Sequence, residues 1–442
     1  MDVFEELKDL SGRFDKHIFI VGGFVRDTLA KLPPHDVDIT GDINPDEVIK
    51  TLSKTRYKVK VTSQKLMTLK IIGDNSYEFT AFRTDSYSDG HTPDDVKRTS
   101  DIKADALRRD FTMNAVYYDV KKGEYVDPIG GIADIEAKIV RCTRDDTFEE
   151  DGLRLMRLCR QAAESGFGIE ENTLAAARRN AKRINEISPE RIRDELDRIL
   201  SADLRYGIKD AHVRGLRLLD EIGVLEEILP EIVDGKGVEQ RSDYHKFDVY
   251  GHIMETVRKA DPSVRLAALM HDVAKPYCKR TFGRFKDHAI YGAETARKIL
   301  KKFRYPNKVI KEVCFLVYNH MYDLKCRLPD DEVRKFLQEN YNRLDKLFLL
   351  KQADYEGGGT LTGECPAVAK HKKILAEMER EKVPFSLKEL AVDGNDLAKA
   401  GVPENLRGKV LHNLFERCAL DGSLNDKEKL TEIIEKEINY AD

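Results

Sequence analysis

The 442-residue sequence contains no tryptophan, and aromatics make up only 8% of it while charged residues reach 35%. That imbalance favours a helix-rich, highly solvated protein. No apolar run approaches the roughly 20 residues a membrane-spanning helix needs. The acidic, amphipathic opening "MDVFEELKDL" is unlike a signal peptide. Paired cysteine spacing is missing as well: the seven cysteines (142, 159, 278, 314, 326, 365, 418) include no CxxC. An odd, scattered set reads as buried free thiols in a reducing cytosol. A large charge of one sign is also lacking. The net charge of −4 gives no global pull on nucleic acid, so an RNA partner would have to be held by local basic stripes. These absences describe a soluble, cytoplasmic protein with no membrane partner.

A chain this long is too large for one core and suggests two to four domains. Strand-like character is confined to the first third: Ile18–Val21, Val37–Thr40, "YKVKVT", "LMTLKII", "YEFTAF" and "AVYYDV". Helical stretches near 24–31, 45–53 and 101–109 lie between them, giving an α/β sheet domain that ends near residue 137. Beyond it, segments such as "GLRLMRLCRQAAESGF" and "PERIRDELDRIL" repeat at three to four residues, as amphipathic helices do. Ser188 before Pro189 suits a helix start. "DYEGGGTLTGECP" (Asp354–Pro366) reads as a linker to a separate helical tail from about 361.

The most unusual stretch is "IFIVGGFVRDTLAKLPPHDVDIT", Ile18 to Thr40. Alternate residues of a strand share a face, so Asp36 and Asp38 would point the same way. Two such carboxylates suit a pair of divalent cations roughly 3.5–4 Å apart, the clamp used in phosphoryl chemistry. Mg²⁺ fits all-oxygen ligands with substrate phosphates completing its shell. Glu78 in "YEFTAF" is the candidate third carboxylate. Gly22 and Gly23, ending a strand and opening a helix, would leave backbone N–H groups facing a triphosphate, with Arg26 adding charge. The competing reading is a surface turn followed by two solvated aspartates.

The order GG-x-V-R-D…D-x-D resembles the tRNA nucleotidyltransferases, the CCA-adding enzymes of the bacterial and eukaryotic class, and the related bacterial poly(A) polymerases. "RRDFTMNA" (Arg108–Ala115) looks like the family's second motif, which implies that Arg109 and Asp110 contact the ribose. "DPIGGIADI" (Asp127–Ile135) resembles the flexible joint between head and neck. "EDGLR" (Glu150–Arg154) matches the family pattern ED-x-x-R. Residues three apart on a helix lie on one face, so Asp151 would offer acceptors beside the donors of Arg154. Cytosine and adenine each carry an amino donor beside a ring-nitrogen acceptor, so one such pair accepts C and A and rejects G and U. A good bidentate contact discriminates by about 1–3 kcal/mol. The alternative for Asp151 and Arg154 is a helical salt bridge. Arg157 and Arg160 continue the helix and could line a groove for incoming phosphates or the acceptor stem. One departure stands out: "DSYSDGHTPDDVKR" has His91 and Thr92 where the resemblance implies a basic residue.

Downstream, "YGHIMETV", "LAALMHDVAKP", "KDHAIYG", "YNHMYD" and "QADYEG" place His252, His271, Asp272, His288, His320 and Asp354 in an H…HD…D array. The array resembles the HD phosphohydrolase superfamily. The resemblance implies that His252, His271, Asp272 and Asp354 ligate a divalent metal such as Ni²⁺, Mn²⁺ or Mg²⁺. His288 and His320 would take a second metal or a phosphate, and Lys275 reads as a phosphate contact or a surface residue.

The expectation is an α+β chain: a polymerase-β-like mixed-sheet head (1–137), a helical neck (138–205), a helical body with the HD domain (206–360) and a tRNA-binding helical tail (361–442). Its expected activity is addition of the 3′-terminal CCA of tRNA from CTP and ATP. The rivals are a poly(A) polymerase, a partial enzyme adding only C or only A, and a metal-dependent phosphohydrolase whose head merely binds RNA.

Overall fold

A computed structural model describes residues 2–86, 95–243 and 245–439. The positions of His91 and Thr92 lie outside the described residues. The chain forms two compact units, Met1–Val233 with Lys302–Tyr305, and Asp234–Lys301 with Pro306–Asp442. The boundaries drawn from sequence at 137 and 205 fall inside the first unit, and that at 360 inside the second.

The first unit opens with α1 (Val3–Ser11), β1 (Phe19–Val21), α2 (Gly23–Leu29), β2 (Asp38–Gly41), α3 (Pro45–Leu52), β3 (Lys58–Ser63), β4 (Thr68–Ile72) and β5 (Ser76–Ala81). An antiparallel pair, β6 (Arg83–Ser86) and β7 (Asp95–Arg98), precedes α4 (Ile102–Leu107), β8 (Tyr117–Asp119), β9 (Glu124–Val126) and α5 (Gly131–Glu136). Seven strands make one sheet in the order β3-β4-β5-β2-β1-β8-β9. Only β2 and β5 run parallel within it; the other neighbours are antiparallel. The period-two pattern sets the faces: Leu69, Ile71, Tyr77, Phe79, Ile39 and Ile20 are buried, as are Leu7 and Leu10 of α1 and Val48 and Leu52 of α3. Register then aligns Val21 with Asp38 and Asp38 with Glu78. The glycine turn and two carboxylates thus meet along one row of the sheet.

Helices follow: α6 (Thr147–Glu150), α7 (Leu153–Ser165), α8 (Glu171–Arg179), α9 (Pro189–Leu200), α10 (Ala202–Tyr206), α11 (Ala211–Glu221), α12 (Val224–Ile228) and α13 (Pro230–Val233). A two-residue parallel pair, β10 (Ile139–Val140) and β11 (Gly168–Ile169), joins the segment before α6 to the segment after α7. Ser188 and Pro189 do begin α9, although the serine hydroxyl makes no cap hydrogen bond. The segment expected as a flexible joint contains α5, whose first turn is held from outside the helix. Asp127 accepts from the N–H groups of Gly131 and Ile132 at 2.8 and 2.9 Å. A Cβ on Gly131 would stand 2.2 Å from the Thr112 carbonyl oxygen, so this glycine serves close packing.

The second unit contains α14 (Val249–Lys259), α15 (Arg265–Met270), α16 (Lys275–Phe282), α17 (His288–Lys302), α18 (Asn307–Asn319), α19 (Asp330–Asn340), α20 (Leu344–Gly357), α21 (Pro366–Arg380), α22 (Gly394–Lys399), α23 (Glu404–Leu420) and α24 (Lys427–Asn439). The expected linker is partly helix, because Asp354–Gly357 completes α20. A Cβ on Gly357 would lie 2.3 Å from Thr256 Oγ1 of α14, so that glycine lets two helices approach. Nor does a separate tail core begin at 361. Met378 and Ile374 of α21 share a core with Leu337 of α19 and Phe348 of α20, and a distinct cluster starts only at Leu390.

Candidate nucleotide cleft and metal cluster

A cleft of about 470 Å³ in the first unit is lined by Gly22, Gly23, Asp36, Asp38, Arg109 and Asp110 together with Asp151 and Arg154. Gly22 has φ +80° and ψ −139°, a conformation open only to glycine, and a Cβ there would stand 3.6 Å from Asp38 Oδ2. Asp36 lies just before β2, not on it, since the strand starts at Asp38. The two aspartates still reach the same cleft. Asp38 is solvent-exposed as a residue, yet removal of its carboxyl from water, together with the Glu78 carboxylate and Asp36, lifts it to about 6. Arg109 opposes that shift without cancelling it. Carboxylates gathered this way repel one another and favour a cation among them. Glu78 is exposed beside Asp38 in register but does not line the cleft.

The arginines are less free than their sequence positions suggest. Arg26 is buried and bonds Asp27 at 2.8 Å, Asn114 at 2.9 Å, Gln161 at 3.0 Å and Tyr206 at 3.0 Å. It thus braces α2 against Asn114, α7 and α10 while still lining the cleft. Arg160 is likewise buried, held by Glu195 at 2.6 Å and Glu164 at 2.8 Å. Arg157 grips Asp110 Oδ2 through Nε and Nη2 at 2.8 and 2.5 Å. Burial disfavours the Asp110 charge, but Arg157 and Asn114 outweigh it and hold the carboxyl well below the usual range. Arg109 is aimed by Asp105 at 3.1 Å and the Tyr117 hydroxyl at 3.2 Å.

Asp151 departs from expectation in one respect. Its backbone is extended (φ −147°, ψ 106°) and ends α6, so it and Arg154 do not share a helix. The reason is local: Asp151 Oδ1 accepts from the N–H of Leu153 at 3.0 Å, opening α7. Its Oδ2 meets Arg191 at 2.9 Å. Arg154 donates to Glu150 at 2.8 Å and to the Arg108 carbonyl at 2.8 Å. A helical Asp151–Arg154 salt bridge is therefore not the arrangement adopted; both residues face the cleft with separate anchors.

Asp105, Asn114, Gln161, Arg191 and Tyr206 escaped the sequence reading. Asn114 sits inside the quoted "RRDFTMNA" and was the one with a usable signal; the others lie up to 180 residues from Arg26.

In the second unit, five helices bring the histidine array together. His252 Nε2 is 2.9 Å from Asp354 Oδ1 and 3.2 Å from His271 Nε2. Asp272 turns Oδ2 toward His252 and His271 at 3.3 and 3.2 Å, and Oδ1 toward His288 at 3.2 Å and His320 at 3.7 Å. Its two oxygens thus face two triads, His252–His271–Asp354 and Asp272–His288–His320. His271, His288 and His320 donate Nδ1–H to the carbonyls of Ala268, Phe285 and Val317 at 2.7, 2.8 and 2.6 Å, which aims each Nε2 inward. His252 Nδ1 is buried without a hydrogen bond, while the buried Asp272 oxygens face only imidazole nitrogens and the Lys275 ammonium. Burial opposes charge on His271, but Asp272 and Asp354 overcome it and raise it to about 10. Burial and neighbouring imidazoles push His320 down to about 3, leaving it a neutral ligand. The cluster calls for positive charge, and its donor set fits divalent metal. Lys275 Nζ lies 2.5 Å from Asp272 Oδ2, so it belongs to the cluster and not to the open surface. His245, its ring centroid 4.6 Å from that of His252, was not singled out from the sequence.

Among the described residues no helix is long and apolar enough to cross a membrane. Residues 18–141 match the poly A polymerase head domain, 166–235 a probable RNA- and SrmB-binding site of polymerase A, and 244–355 the HD domain. A CCA-adding enzyme of Lactobacillus delbrueckii is 37% identical over 202 residues, 45% of this chain and only 50% of that enzyme. A CC-adding tRNA nucleotidyltransferase of Thermus thermophilus is 28% identical over 94% of this chain and 92% of its own length. The crystal structure of a Bacillus stearothermophilus CCA-adding enzyme in complex with CTP shares the fold, with TM-score 0.71 at 23% identity, covering 100% of this chain and 99% of that one. An A-adding tRNA nucleotidyltransferase of Deinococcus radiodurans is 31% identical over 353 residues, 74% of this chain and 77% of that protein. With head, RNA-binding and HD segments all matched in order, the chain belongs to the tRNA nucleotidyltransferase family.

Proposed function

We propose that this chain builds and repairs the 3′-terminal CCA of tRNA from CTP and ATP without a template, releasing pyrophosphate. The observation that carries the reading is convergence: the glycine turn, Asp36 with Asp38, and Asp151 with Arg154 all line one cleft. The terminal ribose hydroxyl oxygen bonds to the α-phosphorus, the bond to pyrophosphate breaks, and the hydroxyl proton is lost. Asp36 and Asp38, supported by Glu78, are the residues that would hold Mg²⁺. When bound, Mg²⁺ supplies the charge that activates the hydroxyl and steadies the leaving pyrophosphate. Gly22 and Gly23 let the backbone approach the triphosphate. Arg109 and Asp110 orient the ribose, with Arg157 fixing the Asp110 carboxylate. Asp151 accepts from the amino group of C or A, and Arg154 donates to the adjacent ring nitrogen. The helical remainder grips tRNA by shape and backbone, as structured RNA is usually gripped. Seven free cysteines suit a cytoplasmic setting.

The His/Asp cluster of the second unit supports a phosphohydrolase activity on phosphomonoesters or 2′,3′-cyclic phosphates. His252, His271, Asp272 and Asp354 would hold one divalent metal, Ni²⁺, Mn²⁺ or Mg²⁺, with His288 and His320 serving a second. Such metals polarise the phosphate and activate water. Water adds to phosphorus, one ester P–O bond breaks, and the departing oxygen takes a proton. Lys275 neutralises phosphate charge at the same place.

The deciding assay gives purified enzyme a tRNA ending at the discriminator base, with CTP alone, ATP alone, or both. Two additions with CTP and three with both establish CCA synthesis. Addition confined to C or to A identifies a partial enzyme, long A tails a poly(A) polymerase, and no addition leaves the phosphohydrolase reading alone. Arg154→Ala relaxes base choice before it weakens tRNA binding; unchanged selectivity removes the base-reading role.

A further inference from the structure

Beside the His/Asp cluster, the second unit exposes aromatic rings in a group. Tyr277 and Phe282 of α16 and Tyr291 of α17 form a triangle with centroids 6.2, 5.6 and 5.5 Å apart. Tyr277 and Phe282 are 47% and 45% exposed, so these rings pack on each other while facing solvent. Cations interleave with them: the run from Lys275 to Lys286, "KPYCKRTFGRFK", holds five Lys or Arg and no acid. Arg280 is tied to Asp234 at 2.9 Å. Lys279 sits 5.6 Å above the Phe285 ring, and Arg284 and Lys286 are exposed.

The surface is continuous with the cluster. Lys275 opens α16 with its Nζ against Asp272. Phe285 accepts the Nδ1–H of His288 through its carbonyl. Tyr291 follows His288 by three residues on α17, which puts the two on one helix face. Exposed rings with interleaved basic side chains are what single-stranded nucleic acid needs, since bases stack while cations follow the phosphates. An uncharged or basic occupant would leave the basic run uncompensated.

We propose that Tyr277, Phe282 and Tyr291 form a base-stacking platform that delivers an RNA 3′ end to the His/Asp cluster. The last base stacks on the rings, Lys279 and Arg284 neutralise the preceding phosphates, and the terminal phosphate lies against Lys275. This rests on the phosphohydrolase reading and narrows its substrates to nucleotidyl phosphates, as against simple alkyl phosphates.

The chain has no tryptophan, so stacking is read cleanly with a short RNA ending in 2-aminopurine 3′-phosphate. Titration onto the full chain quenches the fluorophore saturably. The Tyr277→Ala/Phe282→Ala variant binds about tenfold more weakly or worse, and Tyr277→Phe alone binds as wild type. Unaltered thermal melting and nucleotide addition in the double variant show that it folds. Equal quenching and affinity in wild type and double variant, or no quenching in wild type, overturns the platform; the surface then faces another protein or solvent. Hydrolysis is scored separately. A nucleoside 2′,3′-cyclic phosphate should show a raised KM in the double variant while glycerol 2-phosphate turnover is unchanged, and Asp272→Ala should abolish both. Should wild type hydrolyse neither ester, the phosphohydrolase reading fails while the quenching titration still decides the platform.

Discussion

Asp38 combines three pressures at one carboxyl: a glycine turn within van der Waals reach, a second carboxylate on the neighbouring strand and an arginine that only partly compensates. Removing it relieves repulsion but deletes the cation's anchor. Asp38→Ala should therefore slow nucleotide addition by several kcal/mol of barrier, roughly a thousandfold, without lowering the melting temperature. Retained activity in primer-extension gels would exclude the assignment. The sign of the pH effect follows from the same group. Its pKa is raised to about 6, and only the deprotonated carboxylate binds metal, so a proton competes below that pH. Mg²⁺ affinity measured by calorimetry should fall by about tenfold per pH unit below the pKa and level off above it; a flat profile would contradict the raised pKa. Gly22→Ala tests the turn. Its positive-φ backbone conformation should cost about 1–3 kcal/mol in urea unfolding, with activity falling as the turn shifts.

At the scale of elements, α7 is where sequence and structure diverge most usefully. The sequence marks Arg157 and Arg160 alike as cleft cations. Both line the cleft, but Arg160 also pairs with Glu164 one turn along α7 and with Glu195 of α9, all three side chains being no more than 7% exposed. Arg160→Ala removes the nearest cation from two buried carboxylates, leaving Glu195 only Arg198 at 3.5 Å, and should cost about 3–5 kcal/mol of stability. Intact stability with weakened CTP binding would restore the phosphate-contact reading. The paired glycines and the D-x-D carboxylates were legible because their signal is local: a turn and a carboxylate spacing. The Arg26 strut was not, since Asn114, Gln161 and Tyr206 come from three later segments and none has a distinctive neighbourhood. Asp151 misled for a different reason. Helical spacing in "EDGLR" is real, but a carboxylate that bonds an N–H two residues on stops one helix and opens the next. The triple glycine misled because Gly357 packs two helices closely, a role composition cannot separate from a linker.

Across the whole molecule, each of the two units concentrates carboxylates that call for cations, in different chemistries. Oxygen ligands gather in the first, imidazoles with carboxylates in the second. Metal bound only by the folded cluster stabilises it by about 2.7 kcal/mol at a hundred times its dissociation constant. Adding EDTA should therefore speed amide exchange in α14, α15 and α20 and leave the β-sheet unchanged. Asp272→Ala should erase that difference, and an EDTA response confined to the sheet would refute the cluster. The order of the modules was visible in sequence, whereas the division at residue 234 was not, because amphipathic helices run through it without a break in pattern.

The most direct trial of the account is anomalous diffraction from crystals of the full chain soaked with Mn²⁺ and CTP. Manganese bound between the Asp36 and Asp38 carboxylates and the triphosphate, with the cytosine edge against Asp151 and Arg154, is the expected result. A triphosphate bound elsewhere, with both carboxylates free of metal, would contradict it.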